Sequence, residues 1–157
     1  MSYADVVAIV TGGSTHAGRE LARVLAGWGW AIVLVYLERQ RTAEAAVAKI
    51  LAADGTVVAV RADLADEVDV ERLFAESSAA FGGVDVVVHT TTGTAVLLYR
   101  HAAQHVRRRG AIVSLCAAEG VTSGLARQLR ERGISVGRGS PEKMLAFLDG
   151  WRPQATG

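Results

Sequence analysis

The chain has 157 residues, half of them hydrophobic, and a formal net charge of +1. That length and apolar content suit one domain with a packed core and exclude an intrinsically disordered chain. A lone cysteine, Cys116, excludes a disulfide framework and a cysteine-rich metal cluster, as in a reducing compartment.

In chain order, a strand is expected at residues 6–10 and a helix over 17–27. Strands at 31–36 and 56–61 follow, separated by a helix over 42–54. A third helix over 67–81 leads to a strand at 84–89, and a fourth over 95–109 to one at 111–115. A helix over 123–131, a strand at 134–137 and a helix over 141–148 complete the pattern. The strand runs are short, β-branched and nearly continuous, as for strands covered on both faces. Gly55, Gly110 and Gly133 follow helices where a left-handed cap would sit, and Ser140-Pro141 reads as an N-cap with proline at the first helical position.

Six alternating strand–helix pairs point to an α/β fold, a doubly wound parallel sheet of Rossmann type with strand order 3-2-1-4-5-6 and helices on both faces. A single domain over residues 1–152 with a flexible tail at 153–157 is expected. The longest apolar run, residues 31–37, is too short to span a bilayer, and the N-terminus has no basic leader, so a cytoplasmic protein without membrane attachment is expected. Residues 1–80 carry 11 acids and 7 bases, and residues 81–157 carry 5 acids and 10 bases. Arg107, Arg108 and Arg109 supply much of that excess. They close the expected fourth helix, where cations complement the carbonyl ends, so no nucleic-acid partner is expected.

After the first strand comes Thr11-Gly12-Gly13-Ser14-Thr15-His16-Ala17-Gly18, running directly into a helix with Leu21, Val24 and Leu25 on one face. A glycine turn there lets the backbone approach a pyrophosphate, and the helix N-terminus offers free N–H groups and partial positive charge. The turn resembles the T-G-x-x-x-G-x-G turn of the short-chain dehydrogenase/reductase family, and later segments agree in order. Ala62-Asp63-Leu64-Ala65-Asp66 stands where that family has an aspartate contacting adenine. Phe81-Gly82-Gly83-Val84-Asp85-Val86-Val87-Val88 resembles the approach to its fourth strand and Gly110-Ala111-Ile112-Val113-Ser114-Leu115 its fifth. Residues 125–136 resemble its sixth helix and strand.

The resemblance implies a bound NADP or NAD. The residues it implicates are Gly12, Ser14, Thr15, His16, Gly18, Tyr36, Arg39, Asp63, Leu64, His89, Thr90 and Thr91. His16 replaces the family's middle glycine, bringing a side chain and a φ restriction to the place where backbone meets phosphate. It could instead donate to a phosphate, or be a plain surface residue. Where the family has Asn-Asn-Ala-Gly, this chain has His89-Thr90-Thr91-Thr92-Gly93, whose hydroxyls line the nicotinamide side or simply suit a strand end. A carboxylate ending the second strand would favour NAD; here Val35, Tyr36 and Leu37 precede Glu38, and Arg39 and Arg41 tilt the choice toward NADP.

The family reduces carbonyls with a tyrosine, a lysine four positions after it and a serine on the fifth strand. None of Tyr3, Tyr36 and Tyr99 is followed four positions later by Lys49 or Lys143, and Ala117 takes the serine's place. Residues 118–122 replace the long segment that would carry the pair, so no catalytic residue is assigned. Tyr99, His101 and His105 share one helix, where a solvated face outweighs an acid/base pair or two metal ligands. Cys116 reads as a small hydrophobe rather than a reactive thiol. Trp28 and Trp30 flank Gly29 and read as packing residues, with Trp151 near the frayed tail. The expectation is a dinucleotide-binding protein without standard oxidoreductase chemistry, acting as sensor, scaffold or regulatory partner. Its other partner would be a second copy or another protein. The alternatives are an NADP-dependent oxidoreductase with a rebuilt site and an interaction protein that binds no nucleotide.

Overall fold

A computed structural model describes residues 6–91, 95–115 and 121–152. The elements are β1 (Val7–Val10), α1 (His16–Gly27), β2 (Ala31–Tyr36), α2 (Gln40–Ala52), β3 (Thr56–Arg61), α3 (Glu67–Phe81), β4 (Val84–His89), α4 (Val96–His105), β5 (Val106–Ser114), α5 (Ser123–Glu131), β6 (Ser135–Arg138) and α6 (Pro141–Trp151). The strands form one parallel sheet in the order β3-β2-β1-β4-β5-β6. This is the doubly wound Rossmann-type arrangement expected from the sequence.

The helices divide between the faces because each strand presents alternate side chains to opposite sides. Ala8, Val10, Ile32 and Leu34 meet Leu21, Leu25, Ile50, Met144 and Leu148 of α1, α2 and α6 on one face. Ile9, Val33, Val87 and Ile112 meet Leu73, Phe74, Leu98, Leu125 and Leu129 of α3, α4 and α5 on the other. Each fully buried Leu or Phe contributes about 2 kcal/mol by removal from water. The two outer strands depart from the expected double coverage: β3 and β6 are largely exposed, with Val136 at 51%, because a sheet edge has a neighbour on one side alone.

The fourth helix is shorter than expected. It ends at His105, and Arg107, Arg108 and Arg109 belong to β5 rather than to a helix terminus. Arg107 is drawn there by Asp85, 3.3 Å away, and by the Gly82 carbonyl, to which it donates at 3.0 Å. Val106 pairs with Val84, and the register shifts between Val84 and Val86 to absorb the extra residues. Gly110 is therefore no helix cap: a Cβ there would strike the Asp85 carbonyl, and the left-handed residue beside it is Arg109, at φ 67°. After α2 the left-handed position falls on Asp54 (φ 63°) rather than Gly55, whereas Gly133 (φ 69°) and the Ser140 cap match expectation. Trp151 ends α6, and the tail at 153–157 lies outside the described residues. The Trp151 Nε1–H donates to the Arg109 carbonyl at 3.0 Å and its ring packs edge-on against Trp30.

No helix among the described residues is long and apolar enough to cross a membrane.

Candidate functional site

The chain leaves β1 toward one face, through α1, and leaves β4 toward the other, through α4. A crevice therefore opens above the carboxyl ends of these adjacent strands, where open α/β sheets bind ligands. The turn after β1 is held by its own atoms. The Gly13 N–H donates to the Val35 carbonyl at 2.7 Å, and Gly12 takes φ 73°. The Thr15 hydroxyl donates to the Gly12 carbonyl at 2.8 Å and caps α1 by accepting from the Gly18 N–H at 3.0 Å. Gly18 packs so closely under this turn that a Cβ would overlap the Gly12 carbonyl. The first amides of α1 are thereby presented at the crevice, where an α-helix has no carbonyl of its own to meet them.

Beside that turn lies a groove of about 500 Å³, lined by Gly12, Ser14, Thr15, Val35, Tyr36, Leu37, Glu38, Ala62, Asp63, Leu64, Ala65 and Thr91. Of the residues implicated by sequence, it gathers Gly12, Ser14, Thr15, Tyr36, Asp63, Leu64 and Thr91. Register explains the convergence: β2 and β3 end level, with Tyr36 opposite Arg61 and the Ala62 N–H donating to the Tyr36 carbonyl at 2.9 Å. Asp63 is half-buried. Its Oδ1 accepts from the Ala65 N–H at 2.9 Å, and its own N–H donates to Asp69 at 2.8 Å. Val35, Leu37 and Glu38, weighed in the sequence only for the choice between NAD and NADP, also line the groove, as do Ala62 and Ala65 beside Asp63. Their signal was position at a strand end, not chemical type.

The remaining implicated residues lie elsewhere. His16 is the first residue of α1, with no positive φ, and its exposed side chain lines a separate cleft with Arg19, Glu20, Arg23 and Lys49 between α1 and α2. Of the alternatives open for this residue, that placement fits the surface residue: His16 is not among the residues that line the groove. Gly18 is buried beneath the turn. Arg39 is an exposed N-cap in left-handed conformation (φ 55°) at the start of α2, next to the lining residue Glu38.

His89 and Thr90 are buried, 5% exposed each, behind the turn. The Thr90 N–H donates to Thr11 Oγ1 at 3.0 Å, and the Thr90 hydroxyl to the Thr11 carbonyl at 2.7 Å. Thr11 Oγ1 is 2.9 Å from His89 Nδ1. Burial pushes the His89 pKa below its ordinary value. Thr92, Gly93, Cys116, Ala117 and Tyr3 lie outside the described residues.

On α4 the expectation of a solvated face fails for two of three residues: Tyr99 is 1% exposed and His101 8%, because this side of α4 packs on α3 and the sheet. Burial pushes the Tyr99 phenol up, with the Ser114 hydroxyl beside it acting in the opposite direction. His101 Nε2 lies 2.7 Å from Glu67 of α3, and the exposed His105 stacks on Phe74. Among the described residues no three His, Cys, Asp or Glu side chains converge as a metal site.

A family model described as short chain dehydrogenase matches residues 6–112, which hold the turn, the groove and the first four strands. The chain belongs to the short-chain dehydrogenase family. Among curated members, a 3-oxoacyl-[acyl-carrier-protein] reductase of Synechocystis is 36% identical over 83 residues, covering 53% of this chain and 34% of the reductase. A hydroxynaphthalene reductase-like protein of Metarhizium anisopliae is 29% identical over 148 residues, covering 79% of this chain and 55% of its own length. The chain thus spans between a third and just over half of these relatives.

Solved members of the family superpose over most of the fold. A short chain dehydrogenase from Burkholderia cenocepacia in complex with NADP has a TM-score of 0.70 at 29% identity, covering 83% of this chain and 71% of that one. Another dehydrogenase from that organism, with bound NADP, has a TM-score of 0.74 at 25% identity, covering 88% of this chain and 70% of that one.

Proposed function

We propose that the chain binds NADP or NAD in the groove between the glycine turn and Asp63, and that it does not carry out the family's standard carbonyl reduction. It acts instead as a nucleotide sensor, scaffold or regulatory partner. The observation that carries the reading is the groove itself, which brings Gly12, Ser14, Thr15, Tyr36, Asp63 and Leu64 together beside the N-terminus of α1. The turn suits a pyrophosphate, and the β2–β3 end suits an adenosine between Tyr36, Asp63 and Leu64. NADP in the Burkholderia relatives supports the same occupant. Glu38 in the lining would meet a ribose hydroxyl, whereas Arg39 and Arg41 at the start of α2 would meet a 2′-phosphate.

A bound nicotinamide supplies hydride chemistry, which the family couples to an activated phenol. This chain has no tyrosine four residues before a lysine, and α5, the helix after β5, contains neither residue type. Tyr99 is no substitute for that phenol, since burial raises its pKa where activation needs a lowered one.

Calorimetric titration of NADPH and NADH into wild type, Asp63→Ala and His16→Gly tests the binding. Micromolar affinity is expected for wild type, a loss of about tenfold for Asp63→Ala, and little change for His16→Gly. Absence of binding by wild type, recovered in His16→Gly, would mean that position 16 has closed the loop and that the fold serves protein contacts alone. A parallel assay of NADPH oxidation across carbonyl compounds should show no steady turnover. Turnover abolished by Tyr99→Phe would instead establish a rebuilt reductase.

A further inference from the structure

The cleft between α1 and α2 holds about 220 Å³ and shares no lining residue with the dinucleotide groove. One wall is α1, whose His16, Arg19, Glu20 and Arg23 are spaced i, i+3, i+4 and i+7 and so share a helix face. The other is α2, where Ala45 and Ala46 are too short to fill the space and Lys49 stands one turn further on. The cleft exists because these small side chains lie across from long ones.

Its charges are not balanced. Glu20 is the one carboxylate among the described lining residues, and both of its oxygens accept from Arg23. Glu44, the acid of α2, accepts from Gln40 Nε2 at 2.7 Å and lies outside the lining. Arg19 commits only Nε, to the Thr15 carbonyl at 3.2 Å. Its other N–H groups and the Lys49 ammonium meet no acceptor among the described residues. Two cations therefore line one space from two helices with no anion between them, and their mutual repulsion is relieved when an anion enters.

The shape and size of the cleft narrow the choice of anion. A phosphate presents tetrahedral oxygens in several directions, so it can accept from a guanidinium on one wall and an ammonium on the other. The planar oxygens of a carboxylate would serve one wall alone. Sites for drug-sized ligands occupy roughly 300–1,000 Å³, so a space of about 220 Å³ suits an anion of pyrophosphate size and not a whole nucleotide.

We propose that the α1–α2 cleft is a second anion site, which takes inorganic pyrophosphate or a phosphate anion of similar size and charge between Arg19 and Lys49. The His16 imidazole supplies a further donor. The site uses side chains along about two turns of α1, down to Arg23, rather than the amides at the start of the helix. It stands independently of the dinucleotide reading of the groove.

Calorimetric titration of sodium pyrophosphate in low-salt buffer, where exposed charges are least screened, tests the site. Wild type should bind at a single site. Arg19→Gln and Lys49→Gln should each weaken binding about tenfold. Arg127→Gln removes an exposed cation from α5, on the other face of the sheet, and should leave binding unchanged. Ala45→Glu, four residues before Lys49, puts a carboxylate where the anion would sit and should abolish binding. None of these four side chains is buried, so the variants should fold as wild type does. Absence of wild-type binding at millimolar pyrophosphate, equal weakening in Arg127→Gln or undiminished binding by Ala45→Glu would overturn the inference. Binding that Arg19→Gln and Lys49→Gln leave intact and NADPH displaces would place the anion at the glycine turn, overturning the inference while favouring the groove. Wild-type binding lost in the cleft variants would uphold the site even if NADPH failed to bind.

Discussion

A methyl group on Gly18 would run into the carbonyl oxygen of Gly12, and one on Gly12 into the Thr90 hydroxyl. Neither glycine can be replaced without opening the turn that shapes the groove. Gly18→Ala should destabilise the fold by about 3 kcal/mol, since the obstacle is backbone rather than a movable side chain. Urea denaturation would measure the loss. His89 makes a second prediction. Burial lowers its folded pKa below the ordinary 6.5, so the unfolded chain takes up its proton first as pH falls. Stability should be full above pH 6.5 and decline as the pH drops from there toward the folded value. Denaturation midpoints between pH 5 and 8 should show that slope, flattened in His89→Asn. The sequence already pointed to both glycines by the turn they form before α1, and to Asp63 through the family resemblance. It could not show which way His16 or Arg39 would face, because a side chain's direction follows from the helix start or turn in which it finally sits.

The join between β4 and β5 shows why element boundaries were harder to read. Three consecutive arginines after an apolar helix look like its basic terminus, yet they form the first part of a strand. The cause is a long-range partner: Asp85 accepts from the Val7 N–H at 2.9 Å while facing Arg107, joining β1, β4 and β5 at their amino ends. Asp85→Ala would leave the Val7 N–H without its acceptor and Arg107 without its anion. It should cost about 2 kcal/mol, against about 1 kcal/mol for Arg107→Ala, whose loss exposes acceptors to water. A double-mutant cycle in urea would measure both, and equal costs would count against the Val7 bond as the main term. The strands themselves were legible, since short β-branched runs between glycine-marked turns have few other structures open to them.

For the molecule as a whole, ligand binding and stability are linked. A dinucleotide bound to the folded state alone, present at about 100 times its Kd, should add about 2.7 kcal/mol. For a chain of this size that raises the melting temperature by about 5 to 10 °C. A thermal-shift series with NADPH and NADH would show it, and an unchanged melting temperature at millimolar ligand would argue against the groove.

The sequence by itself determined the alternation of six strands and six helices, the doubly wound order of the sheet and the glycine turn at its centre. These rest on local periodicity and on the few right-handed ways of winding such units. Tertiary structure alone decided that β3 and β6 are open edges, that Tyr99 and His101 turn inward, that His16 faces the α1–α2 cleft, and that His89 is buried behind the glycine turn. Each of these depends on which distant segment packs against the residue, and the pattern of neighbours along the chain does not encode that.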